Sequence, residues 1–97
     1  MGMNTAMSYK LPVLITKQNK RFVAYTPALD ISTSGKTKKD AQKKFAELVS
    51  LFLEEIFEAG TAKDVLSELG WTKHEKRWNP PEVVSSRSVG IRVQAMA

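Results

Sequence analysis

Ser32, Thr33 and Ser34 stand side by side in the stretch "DISTSGKT", two residues after Asp30, and hydroxyls close to a carboxylate are where a nucleophile would be sought. A hydroxyl becomes a nucleophile when a base lies within hydrogen-bond reach and a third group orients that base. The one histidine, His74, sits among Lys73, Glu75 and Lys76 without a partner at triad or metal-ligand spacing. It reads as a surface residue, and the three hydroxyls read as turn and strand chemistry. Gly35, Lys36 and Thr37 resemble the end of a phosphate-binding loop, but that motif needs glycine five residues before Gly35, where Asp30 stands. Metal-assisted phosphoryl hydrolysis would need several carboxylates converging on divalent ions. Only Asp30 falls in a strand pattern, and Asp40 is placed to cap a helix. A nuclease is therefore the weaker rival. Catalytic, metal-binding and cofactor-binding residues are all left unassigned, and the chain reads as one that binds rather than catalyses.

Charge points to the candidate contacts. Residues 1 to 50 hold nine Lys/Arg against three Asp/Glu and residues 51 to 97 hold six against seven, giving +6 and −1. The basic residues gather in "KQNKR" at 17–21 and "GKTKKDAQKK" at 35–44. Lys17, Lys20, Arg21, Lys36, Lys38 and Lys39 are thus candidate nucleic-acid contacts. Tyr9, Phe22 and Tyr25 could supply stacking surfaces beside them. The acidic Glu54, Glu55 and Glu58, with Tyr25, are candidates for contact with a protein partner.

The elements that must position these residues follow from the hydropathy pattern. A chain of 97 residues with 42% apolar and 26% charged side chains suits one globular domain, residues 11–97, after a flexible segment at 1–10. It lacks cysteine and any apolar run long enough to span a bilayer, which fits a cytoplasmic protein. "LPVLITK" and "FVAYT" read as strands joined by a hairpin turn at "QNK". "LDISTSG" alternates as a third strand, and Gly35 turns the chain into a helix opened by Thr37 and Asp40. That helix carries Ala41, Phe45, Leu48, Val49, Phe52 and Ile56 at helical spacing. Leu51, Leu53 and Phe57 widen its apolar arc enough to serve a subunit contact. Gly60 ends it, and Thr61 with Asp64 opens a short helix ending at Gly70. "WTKHEKRWNPPE" reads as a loop anchored by Trp71 or Trp78. Val89, Ile91 and Val93 alternate with Gly90, Arg92 and Gln94 as a fourth strand, expected beside the first. The expected class is α+β, in the order β-β-β-α-α-β, with helices on one face of a small sheet.

The order "VLITKQNKRFVAYTPALDISTSGKTKKDAQKKFAELVSLFLEE" resembles the N-terminal domain of HicB-like antitoxins, with "SGKT" where that family has a small residue, Gly, a variable residue and Thr. "EAGTAKDVLSELGW" is similar to the second helix of part of that family. The resemblance implies a truncated RNase H-like fold. It also implies a homo-oligomer that binds and neutralises a small basic, mRNA-cleaving toxin of the HicA type. Many such proteins append an operator-binding segment, for which residues 72–97 are too short and proline-broken. The alternatives are nucleic-acid binding through the basic half, or an orphaned scaffold without a toxin.

Overall fold

The computed structural model describes residues 9–95; of the segment expected to be flexible, residues 1–8 lie outside them. Three strands, β1 (Leu14–Gln18), β2 (Arg21–Thr26) and β3 (Ile31–Gly35), form an antiparallel meander in the order β1-β2-β3. Register pairs Leu14 with Tyr25 and Tyr25 with Ser32, and pairs Thr16 with Val23 and Val23 with Ser34. The turn between β1 and β2 has positive φ at both central residues, 48° at Asn19 and 68° at Lys20. That is the type I′ geometry, whose twist matches the flanking strands.

The 21-residue helix α1 (Lys38–Glu58) lies over β2 and β3. Its start rests on three groups. Thr37 caps it by accepting a hydrogen bond at its hydroxyl from the Asp40 N–H at 3.0 Å. The Asp40 carboxylate reaches back to the Lys36 N–H at 3.0 Å. Aspartate is one methylene shorter than the usual glutamate of a capping box. Its partner here is the amide before the cap rather than the cap's own. Gly35 lets the helix come this close, because a Cβ at that position would stand 2.5 Å from the Ala41 backbone nitrogen.

Both helices end alike. Thr61 donates its N–H to Ile56 and Gly60 to Phe57, at 3.0 and 3.3 Å; after α2 (Ala62–Glu68), Trp71 donates to Leu66 and Gly70 to Ser67, at 2.9 and 3.2 Å. These paired bonds are Schellman motifs, and they require a left-handed residue, supplied at φ 75° by Gly60 and 89° by Gly70. Thr61 does not cap α2 with its side chain, contrary to the hydroxyl-x-x-carboxylate pattern. Its hydroxyl donates to the Ile56 carbonyl at 3.4 Å instead.

The core joins Ala24 of the sheet, Ala41, Phe45, Val49 and Ile56 of α1 and Leu66 of α2. The loop between β2 and β3 dips into it through Ala28 and Leu29, so the third strand begins at Ile31, later than the alternation suggested. Trp71 closes this side: its indole N–H donates to the Ala28 carbonyl at 2.8 Å, and Tyr9 meets its ring edge-on at 5.4 Å.

The α+β class and the three-strand meander with a long and a short helix stand as expected, and the C-terminal part differs. Residues 72–79, read as a loop, form a hairpin of β4 (Thr72–His74) and β5 (Arg77–Asn79), which buries Trp78. Glu75 turns it in the left-handed region at φ 61°. Conversely, residues 88–95 are exposed, carry no regular secondary structure and join no sheet, so the expected fourth strand beside the first does not form. The reason is local: an eight-residue hairpin needs only its own two strands and Trp78 as an anchor, whereas the tail must leave it through Pro80 and Pro81, which cannot donate to a ladder.

Candidate protein and nucleic-acid interfaces

The meander has two unlike faces. Ala24 and Thr26 are fully buried beneath α1, and the cross-strand partner of Phe22 is Gly35, the residue the helix touches. Pleating sends the alternate residues, Leu14, Thr16, Val23, Tyr25, Ser32 and Ser34, to the other face, over which no helix or strand packs among the described residues. Tyr25 lies there. Its hydroxyl donates to the Asp30 carboxylate at 3.0 Å, and Asp30 holds φ 55° at the end of the buried loop. That hydrogen bond, a little desolvation and the nearby negative charge raise the Tyr25 phenol above its ordinary value. Asp30 is thus engaged in holding a phenol, and Asp40 in holding a helix start. Among the described residues, no group of three or more His, Cys, Asp or Glu side chains could hold a metal ion.

Glu54, Glu55 and Glu58 occupy the last turn of α1, all exposed, and none lies within ion-pair distance of a lysine or arginine among the described residues. The structure does not bring them together with Tyr25. The glutamates project from the helix that covers one face of the sheet, and Tyr25 belongs to the other. Their immediate company is apolar: Leu51, one turn back, is 60% exposed, and Leu48 is exposed beside it. The wide apolar arc of the helix is therefore real, and its unburied part lies among these acids.

The basic candidates do converge. The type I′ turn carries Lys20 and Arg21, and Arg21 donates from Nε and Nη2 to the Ser34 hydroxyl, each at 3.3 Å. Ser34 and Gly35 lead directly to Lys36, Lys38 and Lys39 at the start of α1, so two clusters separated in sequence share one end of the sheet. Lys17 lies over the Phe22 ring at 5.9 Å, on the helix side. The proposed stacking aromatics offer no free ring at this end: Phe22 is there but packs part-buried against the core under Lys17, Tyr9 packs on Trp71, and Tyr25 pairs with Leu14 at the far end of β2. Asp40 sits within the basic field. The Lys36 N–H first, then Lys44 at 3.4 Å and the charge of Arg21, hold its carboxyl below the usual range despite some desolvation.

Alternation along β2 places Val23 and Tyr25 on one face, but sequence reasoning missed that this is the open face, with Leu14 beside Tyr25, and missed the Arg21–Ser34 contact. Both follow from register, and the turn that fixes it is Asn19–Lys20, one residue shorter than the expected "QNK", because Gln18 belongs to β1. Comparison with protein-family models, with curated proteins and with solved structures returns no match to this chain.

Proposed function

We propose that this chain is a HicB-like antitoxin of the cytoplasm, which holds a small basic, mRNA-cleaving toxin of the HicA type through protein–protein contacts and performs no reaction itself. One observation carries the reading: the acids at the C-terminal end of α1 stand against the helix dipole. A helix favours acids in its first turn and bases in its last. The first turn has the favourable Asp40 beside Lys38 and Lys39, whereas Glu54, Glu55 and Glu58 close the helix with no base in the last turn. These three acids gain nothing from the helix that bears them. An acidic cluster around the exposed Leu51, without an ion-pair partner among the described residues, has the composition that a basic, partly apolar partner surface complements.

The test is co-expression of this chain with the product of the adjacent gene, if that product is small and basic. The expected result is a stoichiometric complex that suppresses RNA cleavage and is lost on Leu51→Asp or on reversal of the three glutamates. A toxin that binds equally well to both variants would sink this surface as the site. Failure to form any complex would leave the chain an orphaned scaffold.

A second reading rests on its own observation, the convergence of Lys20 and Arg21 with Lys36, Lys38 and Lys39 at one end of the sheet. It assigns that end to a nucleic-acid backbone. Binding to DNA or RNA should then fall steeply with salt and be lost on joint Lys20 and Arg21 substitution. Salt-independent binding counts against it.

A further inference from the structure

Between α1 and the segment entering β1 runs an open groove of about 520 Å³, with Tyr9, Leu11 and Val13 on one wall and Phe45, Val49 and Leu53 on the other. It exists because α1 sits over β2 and β3, so that β1 is the sheet's edge and stands beside a strip the helix does not cover. An edge strand presents unpaired N–H and C=O groups to any extended segment that can reach it. Natural edges are commonly blunted with charge or proline, and β1, "LITKQ", has only Lys17 in that role while Leu14 is 48% exposed.

The same chain carries a segment that fits this edge and leaves it unused. Val89, Ile91 and Val93 alternate with Gly90, Arg92 and Gln94, and the three apolar residues are 70, 76 and 75% exposed. β-Branched residues at period two form one face of a strand, and such a face is stable only against a neighbour. The tail departs close to its own groove, since the Arg77 guanidinium lies 5.3 Å from the ring of Tyr9. It does not fold back. Pro80 and Pro81 are half-buried, and every residue from Glu82 to Ala95 is exposed, in a molecule drawn out to 65 × 29 × 21 Å.

We propose that residues 88–95 of one copy add as a strand to β1 of a second copy, and that Val89, Ile91 and Val93 enter that copy's groove. Each chain then donates one strand and accepts one, the self-complementary arrangement that a twofold axis closes. Main-chain hydrogen bonds along the edge supply the pairing and the groove selects the apolar face. A partner of other origin would leave either the tail or the edge unused, whereas a second copy uses both. The inference is independent of any toxin, because the glutamates of α1 lie outside the groove.

The full chain should sediment as a dimer, and Ile91→Asp should raise its dimer dissociation constant by at least about tenfold without changing the far-ultraviolet spectrum of the monomer. Ile91 is exposed within its own chain, so loss of folding is not a competing outcome. Because the chain has no cysteine, cross-linking can separate partners. Arg92→Cys in one chain is mixed with Leu14→Cys, Thr16→Cys or Gln18→Cys in another and oxidised. A disulfide-linked heterodimer for one of the three is expected. A monomer at all concentrations overturns the proposal, as does a dimer indifferent to Ile91→Asp. So does a disulfide that forms only within single chains carrying both cysteines, which would mean that the tail closes on its own edge.

Discussion

The indole N–H of Trp71 donates to the carbonyl of Ala28 at 2.8 Å, tying the residue after α2 to the loop between β2 and β3 across 43 positions of sequence. Both residues are buried, so the Ala28 carbonyl depends on that indole for its side-chain partner. Trp71→Phe keeps an aromatic ring and the contact with Tyr9 but removes the donor. A buried acceptor left unsatisfied costs about 1–3 kcal/mol. Urea unfolding of Trp71→Phe should show a loss of that size at unchanged m-value. A loss below about 0.5 kcal/mol would mean that water reaches the carbonyl.

Gly35 should tolerate no side chain. Even alanine would bring its Cβ within 2.5 Å of the Ala41 backbone nitrogen and 2.8 Å of Asp40 Oδ2, and the first of these cannot swing away. Relief requires the helix start to move off the sheet, so Gly35→Ala should cost about 1–3 kcal/mol, as overpacking does. Ser34→Ala is the control: Ser34 lies on the open face, its hydroxyl accepts from exposed Arg21, and the change should stay within about 0.5 kcal/mol.

The Asp40 cap makes the helix start sensitive to acid. Its carboxyl is held below the ordinary 3.8 by the Lys36 N–H, so the folded chain binds that proton more weakly than the unfolded one. The stabilisation is complete above the unfolded value and is lost as the pH falls through the lower, folded value. Thermal melts of the wild type and Asp40→Asn should therefore differ most well above 3.8, with the wild type more stable, and converge in acid once the pH has fallen through the lowered, folded value. A constant gap across that range would show that Asp40 acts through packing and not through its charge.

The hairpin turn offers a gain instead of a loss. Lys20 holds φ 68°, a region that costs an L-residue about 1 kcal/mol and glycine almost nothing. Lys20→Gly completes the Asn-Gly pair that type I′ turns favour, and should stabilise the chain by about 0.5–1 kcal/mol after the extra freedom of unfolded glycine is counted. A stabilised protein that still binds nucleic acid with unchanged salt dependence would remove Lys20 from the basic contact surface.

Where the order of elements was legible in the sequence, local chemistry decided it. The Asn-containing turn, the Thr37 cap and the glycines after each helix all act within a few residues, and each appears where its spacing places it. The hairpin around Trp78 was missed because its strands are three residues long and mostly exposed, so they carry no alternation to read. The tail shows the reverse failure. Val89, Ile91 and Val93 give a clear strand pattern, but period two states that a face needs covering and cannot state which edge covers it. For the candidate sites, charge clusters were visible while their neighbours depended on register, so the basic residues converge and Tyr25 and the glutamates do not.

The acids at the C-terminal end of α1, set against the helix dipole, yield a prediction in which stability and binding move in opposite directions. Replacing Glu54, Glu55 and Glu58 with glutamine removes three like charges from the negative end of the helix dipole, and replacing them with lysine supplies the charge that end favours. Each exposed position is worth a few tenths of a kcal/mol, so the triple glutamine variant should melt slightly higher than wild type and the triple lysine variant higher still, with the differences shrinking in salt. If the cluster serves a basic partner, the same series should weaken the complex stepwise, mainly through slower association for charges at the rim. A series that gains stability while binding is untouched assigns the glutamates to the solvated surface. A series that loses stability refutes the dipole argument itself, because it would mean that the three acids already have a favourable local role in the last turn.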